Sequence, residues 1–199
     1  MIKIIEKPVL PKELKSAKVN SKLLAQAVRV YQANQRQGTQ SALTRAEVSR
    51  TRKKLHKQKG TGGARHGDRK APIFVGGGIA FAPKSRDYSL NLPQKMRQMA
   101  KAGALQQHVA RGTLFVASGL IKVEKTKDVA KVIEPGSLIV TDKIRENVYL
   151  ASRNIPDVNV LPVSQLNALE VLRAGKVYLM EEAVPIFGEV QKVKKTEKK

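Results

Sequence analysis

The chain has 199 residues, 41% of them hydrophobic, enough to bury the core of one domain with an extension left over. Its formal net charge is +22, and 38 Lys and Arg against 16 acids point to nucleic acid far more than to a small acidic substrate. Cysteine is absent, which excludes disulfides and thiolate metal sites; the longest near-apolar run, Ile73 to Ala82, is interrupted by three glycines and too short to span a bilayer.

Taken in order, Ile2 to Ile5 reads as a short edge strand, and Pro8 and Pro11 direct an extended path after it. The opening Met-Ile-Lys-Ile-Ile-Glu-Lys-Pro lacks the apolar centre of a signal peptide, so a soluble cytoplasmic protein without membrane partners is expected. Asn20 is a good N-cap, and Leu23, Leu24, Ala27, Val28 and Tyr31 form one helical stripe, predicted to end near Gln37 with Gly38 as the C′ residue.

From Gly38 to Asn91 no period of 3.6 or 2 is found, although helical patterns lie on both sides. This stretch is read as one long inserted loop, well beyond ordinary connection lengths. It holds twelve Lys and Arg against three acids, Glu47, Asp68 and Asp87, and glycines at 60, 62, 63, 67, 76, 77 and 78. Ordering each residue costs roughly 1–2 kcal/mol of backbone entropy, and few apolar side chains are present to offset it. The free loop is therefore expected to be disordered, and phosphates are expected to order it by releasing counterions. A solvated linker is the plain alternative for such a composition. Anchorage at both ends and the apolar patch Pro72 to Phe81 argue against it.

Beyond the loop, Pro93 suits the first position of a helix whose buried face is read as Leu92, Met96, Met99, Ala100, Gly103, Leu105 and Val109, stopped by Gly112. The methionines there are read as core, and His108 as a surface residue. Strands are predicted at 113–117, 137–141, 157–161 and 176–180, with helices between them at 127–133, after Asp142 and after Ser164. Strands alternating with helices about every 20 residues indicate βαβ units. The fold class is α/β: a Rossmann-like parallel sheet with helices on both faces. Residues 1–37 and 92–188 are assigned to one globular domain, 38–91 to a basic glycine-rich RNA-binding loop, and 189–199 to a frayed basic tail.

Fingerprints of nucleotide enzymes fail. The run from Gly60 to Arg65 puts Arg where the dinucleotide motif needs its third glycine, and Asp68-Arg69 replaces the Lys-Ser/Thr of a phosphate loop. Three histidines at 56, 66 and 108 give no zinc pattern, and Asp68 and Asp87 are expected to bind local Arg or Lys. No catalytic residue, cofactor or metal is assigned. On the residues alone, two other classes stay open: a basic nucleic-acid enzyme with an unrecognised site in the sheet, and a DNA-compacting protein.

The motifs Thr44-Arg-Ala-Glu-Val-Ser, Lys57-Gln-Lys-Gly-Thr-Gly, Ala64-Arg-His-Gly-Asp-Arg-Lys-Ala-Pro-Ile-Phe-Val-Gly-Gly-Gly-Ile-Ala-Phe81 and Pro83-Lys-Ser-Arg-Asp-Tyr88 closely resemble the extended loop of the bacterial large-subunit ribosomal protein "L four" family. The flanking helices and the later α/β rhythm agree, so the resemblance covers nearly the whole chain. It implies a structural constituent of the large ribosomal subunit that binds 23S ribosomal RNA early in assembly. It also implies that the loop tip, Lys59, Gly60, Thr61, Gly62, Gly63, Ala64 and Arg65, lines the exit tunnel against the nascent polypeptide and faces the "L twenty-two" family protein. The residues assigned to RNA are Arg45, Arg50, Arg52, Lys53, Lys54, His56, Lys57, Gln58, Lys59, Arg65, His66, Arg69, Lys70, Lys84 and Arg86. Phe74, Phe81 and Tyr88 are placed against bases or riboses, or against the loop's own stem. Two departures from the family pattern stand out. Leu55-His56 stands where an aromatic residue is common and Gly63 where Arg is common, implying a less bulky and less basic tip.

Overall fold

A computed structural model describes residues 2–5, 19–123 and 125–187. The expected extended path at Pro8 and Pro11 and the basic tail from Glu189 lie outside these residues. The described chain divides into two compact units: one built from residues up to Gln32 and from Leu90 onward, the other spanning Ala33–Ser89.

The first unit is an α/β domain around a five-stranded sheet. Its strands are β1 (Lys3–Ile5), β2 (Leu114–Ser118), β3 (Ser137–Thr141), β4 (Asn159–Pro162) and β5 (Lys176–Met180), in the order β1-β2-β5-β3-β4. The last four run parallel, and β1 pairs antiparallel with β2, Ile4 opposite Ala117, so the sheet is mixed at that edge. The sequence explains which strands are central. Ser137-Leu-Ile-Val-Thr141 is buried at all five positions, and Val177 to Met180 are buried in succession, as parallel strands covered on both faces must be. The edge strand β1 is exposed throughout.

The helices of this unit include α1 (Ser21–Asn34), α2 (Gln94–Arg111), α3 (Thr126–Ala130), α4 (Glu146–Ser152) and α5 (Ala168–Arg173). The crossovers through α3 and α4 lead in one direction along the sheet, from β2 to β3 to β4. The crossover through α5 returns to β5. Right-handed connections therefore put α3 and α4 on one face and α5 on the other. The packing of α3 on α4 and of α2 on α5 agrees with that division.

Local chemistry accounts for the boundaries and for several corrections. The Asn20 side chain accepts from the Lys22 and Leu23 amides at 3.1 and 3.2 Å, capping α1 as expected. That helix stops at Asn34 rather than near Gln37, and it buries Val30, not Val28. Pro93 precedes α2 as its cap, and Gly112 ends the helix in the left-handed conformation, φ 70°. Met99 is 60% exposed, so it does not belong to the core face. Asp142 caps no helix; it receives a two-pronged bond from Arg145 at 3.0 and 2.8 Å, which holds its carboxyl below the usual range. Ile144 is consequently left exposed on the connection, and α4 starts only at Glu146. Asn167, not Ser164, caps α5 by accepting from the Glu170 amide at 2.9 Å. The fourth strand begins two residues late because Asp157 turns the chain at φ 54°.

The largest correction concerns His108. It is 3% exposed, not a surface residue. Its Nε2 lies 2.8 Å from the Val171 carbonyl oxygen, which can only accept, so this nitrogen carries the proton. Its Nδ1 lies 2.8 Å from the Thr113 hydroxyl. Both ring nitrogens of the neutral form are thus partnered, and the ring joins α2 to α5. Burial pushes its pKa down, because the charged ring would lose its hydration.

Candidate nucleic-acid interface

Residues 36–93 contain neither helix nor strand. In place of a ladder, isolated backbone bonds fold this stretch back on itself: Arg86 N–H donates to the Gly38 carbonyl at 3.2 Å, Ala42 to Pro83 at 2.9 Å and Ile79 to Leu43 at 2.9 Å. Farther along, Gly78 donates to Lys70 at 2.9 Å and Leu55 to Gly67 at 2.8 Å. Within Ala33–Ser89 the only buried residues are Gly38, Lys70 and Gly78. A unit without a buried large apolar side chain is held by turns and point contacts.

One such contact is a clasp at Glu47. The Thr44 amide donates to its carboxylate at 2.9 Å while the Glu47 amide donates to the Thr44 carbonyl at 3.0 Å, so the Glu47 side chain closes its own turn, as one half of a capping box does. Lys84 donates to the same carboxylate and, at 3.0 Å, to the Ala42 carbonyl. The Lys84 hydrogen bond, aided by Thr44, lowers the Glu47 pKa to about 2. The pattern Thr44-Arg-Ala-Glu47 carried this signal in the sequence; its nonlocal partner Lys84 did not announce itself.

The glycines fall into two groups. A side chain on Gly77 would come within 2.0 Å of the Ala71 carbonyl oxygen, and one on Gly78 within 2.2 Å of the Arg45 nitrogen. One on Gly76 would meet the Arg50 guanidinium, which donates to the Val75 carbonyl at 2.8 Å. These glycines are needed for close packing of the unit on itself. By contrast, nothing lies within 4 Å of a side chain built on Gly60, Gly62, Gly63 or Gly67. This second group leaves room for a ligand to approach the backbone closely.

The candidate RNA residues are sorted likewise. Arg52, Lys53, Lys57, Lys59, Arg65 and Arg69 are exposed and enter none of the ion pairs among the described residues. All of Lys59 to Arg65 is exposed. Arg45 is exposed too, although its backbone packs on Gly78. Other candidates have internal partners. Lys54 donates to Gln58, His56 Nε2 bonds the Ala64 carbonyl at 2.9 Å, and Lys84 belongs to the Glu47 clasp. Lys70 is buried, at 7% exposure. His66 stands edge-on to His56 and to Phe74, with ring centres 6.0 and 5.1 Å away.

Tyr88 is the best-anchored side chain of the unit. The Arg36 and Arg86 guanidinium carbons lie 3.8 and 4.5 Å from its ring centre, and Gln40 donates to its hydroxyl at 2.7 Å. The hydrogen bond from Arg86 pulls the phenol pKa down. Gly38 explains why the two legs of the loop can meet here. A Cβ at that position would lie 2.1 Å from the Arg86 carbonyl oxygen, so its positive φ serves the loop stem, not the end of α1. Among the described residues neither Asp68 nor Asp87 forms an ion pair with a nearby cation as expected; Asp87 accepts instead from the Ser89 hydroxyl and, at 2.8 Å, from the Ser89 amide, which lowers its pKa.

Residues 9–190 match the ribosomal protein L4/L1 family. The chain belongs to that family. A relative from Clostridium botulinum (strain Loch Maree), named large ribosomal subunit protein uL4, is 42% identical over 177 residues, 86% of each chain. One of the same name from Deinococcus radiodurans is 40% identical over 183 residues, 89% of each chain. The resemblance carried by the loop motifs is thereby established across most of the sequence. The family is one of structural ribosomal proteins, so the reading as a nucleic-acid enzyme is set aside. A place in the cytoplasmic ribosome follows from the same membership. Among the described residues no helix is long and apolar enough to cross a membrane.

Proposed function

We propose that this chain is a primary 23S ribosomal RNA-binding protein that acts early in assembly of the large subunit. In this reading the α/β domain is a scaffold, and residues 38–91 are the principal RNA-binding element. The tip from Lys59 to Arg65 lines part of the exit tunnel, facing the "L twenty-two" family protein and the nascent polypeptide. The supporting observation is the sorting of charge between Arg52 and Arg69. Six exposed cations there enter no ion pair among the described residues and four glycines have open surroundings, against a single acid in that stretch, Asp68; Glu47 and Asp87, the other two acids of the loop, are already occupied internally. Polyanion binding follows directly from that imbalance.

The test is affinity for large-subunit RNA as a function of salt. About six phosphate contacts lead to a loss on the order of 10³-fold between roughly 50 and 200 mM salt. An affinity insensitive to salt would overturn the reading. Deleting Lys59 to Arg65 tests the tip separately: the α/β domain should stay folded and the protein should still join RNA, while peptide passage through the tunnel changes.

A further inference from the structure

Three aromatic side chains of the basic unit could meet RNA bases, and their surroundings differ. Phe74 is half-buried beside His66. Tyr88 is enclosed by Arg36, Arg86 and Gln40. Phe81 is 98% exposed. We infer that Phe81 is a stacking platform for an unpaired RNA base, an assignment that rests on the RNA-binding reading above.

The backbone around Phe81 is held, although the ring is free. Two residues before it, Ile79 donates to Leu43; two residues after it, Pro83 accepts from Ala42. Contrary to the disorder expected of the free loop, these two bonds tie the segment to residues 42 and 43, so the ring projects from a tethered backbone and the ordering cost of stacking is reduced. Leu43 and Ile79, 57% and 52% exposed, add an apolar margin next to these two rungs. The nearby acid is neutralised, since Glu47 is paired with Lys84, so no free carboxylate there repels a phosphate. A cationic unit that offers one bare aromatic ring matches single-stranded RNA, whose bases stack on such rings while the backbone finds the cations. A paired helix keeps its bases stacked and offers no such face.

The chain contains no tryptophan, so Phe81→Trp introduces a single indole that can be excited selectively over the tyrosines. We expect its fluorescence to be quenched saturably by a large-subunit RNA fragment with unpaired bases and to be unchanged by a fully paired RNA of equal length. Phe81→Ala should bind the unpaired fragment on the order of tenfold more weakly, with the salt slope unchanged because no phosphate contact is lost. Ile144→Ala, at an exposed apolar residue of the α/β domain outside the basic unit, should bind like the unaltered protein. Two results overturn the assignment while leaving RNA binding intact: salt-dependent binding with unaltered Trp emission, or equal quenching by paired RNA. Quenching by another ribosomal protein and not by RNA would also overturn it. Failure of the unaltered protein to bind RNA at all would overturn both readings.

Discussion

The two units of this protein solve the same problem with opposite means. In the α/β domain, β3 and most of β5 are wholly buried, and even the buried His108 has both nitrogens partnered. In Ala33–Ser89, no large apolar side chain is buried, and shape comes from single backbone bonds, close glycine contacts and the clasps at Glu47 and Tyr88. The first unit is stabilised by area removed from water. The second has little such area and many like charges, so its stability is sensitive to anions and to local geometry. A mutation should thus act on folding in one unit and on binding or local order in the other.

The strongest way to break this contrast is to remove charge from the basic unit. Replacing Arg52, Lys53, Lys57 and Lys59 by Ala should weaken RNA binding on the order of 10²-fold or more near physiological salt and flatten the salt slope by about 3–4. The thermal midpoint of the α/β domain should stay where it was, checked by circular dichroism. A fall in that midpoint would show that the cations also hold the fold.

His108→Ala should do the converse. It removes a buried ring and strands the Val171 carbonyl, at a cost of about 2–4 kcal/mol in unfolding free energy, with the RNA salt slope unchanged. In the unaltered protein His108 has a folded pKa below its ordinary 6.5. The unfolded chain therefore takes up the proton first as pH drops. The stability due to this group is complete above pH 6.5 and is lost as pH falls through the lower folded value, a dependence that the Ala variant should lack.

A finer test compares glycines. Gly78→Ala forces a side chain against the Arg45 backbone and should loosen the unit by about 1–3 kcal/mol, seen as faster hydrogen exchange at the Gly78 and Ile79 amides but not in β3. Gly63→Ala, with open space around it, should leave that exchange unaltered. The smallest expected effect is at Glu47. Lys84→Ala should raise its pKa from about 2 toward 4.5, followed by carbon chemical shift. Because the folded pKa is the lower one, the clasp is intact above pH 4.5 and is lost as pH falls toward 2; this acid sensitivity should shrink in the variant.

Much of this was legible in the residues. Strand positions followed from short apolar runs between turn signals, and Ser137–Thr141 and Lys176–Met180 were located to the residue. The aperiodic basic stretch was recognisable as lacking helix and strand, and its motifs carried the family resemblance. Short helices were placed less well. Caps such as Asn167 and Ser164 are chemically alike, and only the path of the chain decides between them. Asp142 was misread for a related reason: an acidic residue after a strand suits a cap, but a bidentate Arg three residues on captured it first.

Composition, charge and periodicity by themselves determined the α/β class, the position of the sheet's central strands and the concentration of cations in one segment, because each of these is a local property of the chain. Which cations stay free, which glycines are packing glycines and which aromatic ring remains bare were decided only by tertiary structure. Each depends on a partner far away in sequence: Val171 for His108, Lys84 for Glu47, Arg36 and Gln40 for Tyr88. Periodicity is blind to such partners, since it reports how a residue relates to its near neighbours and not to a segment brought alongside by folding.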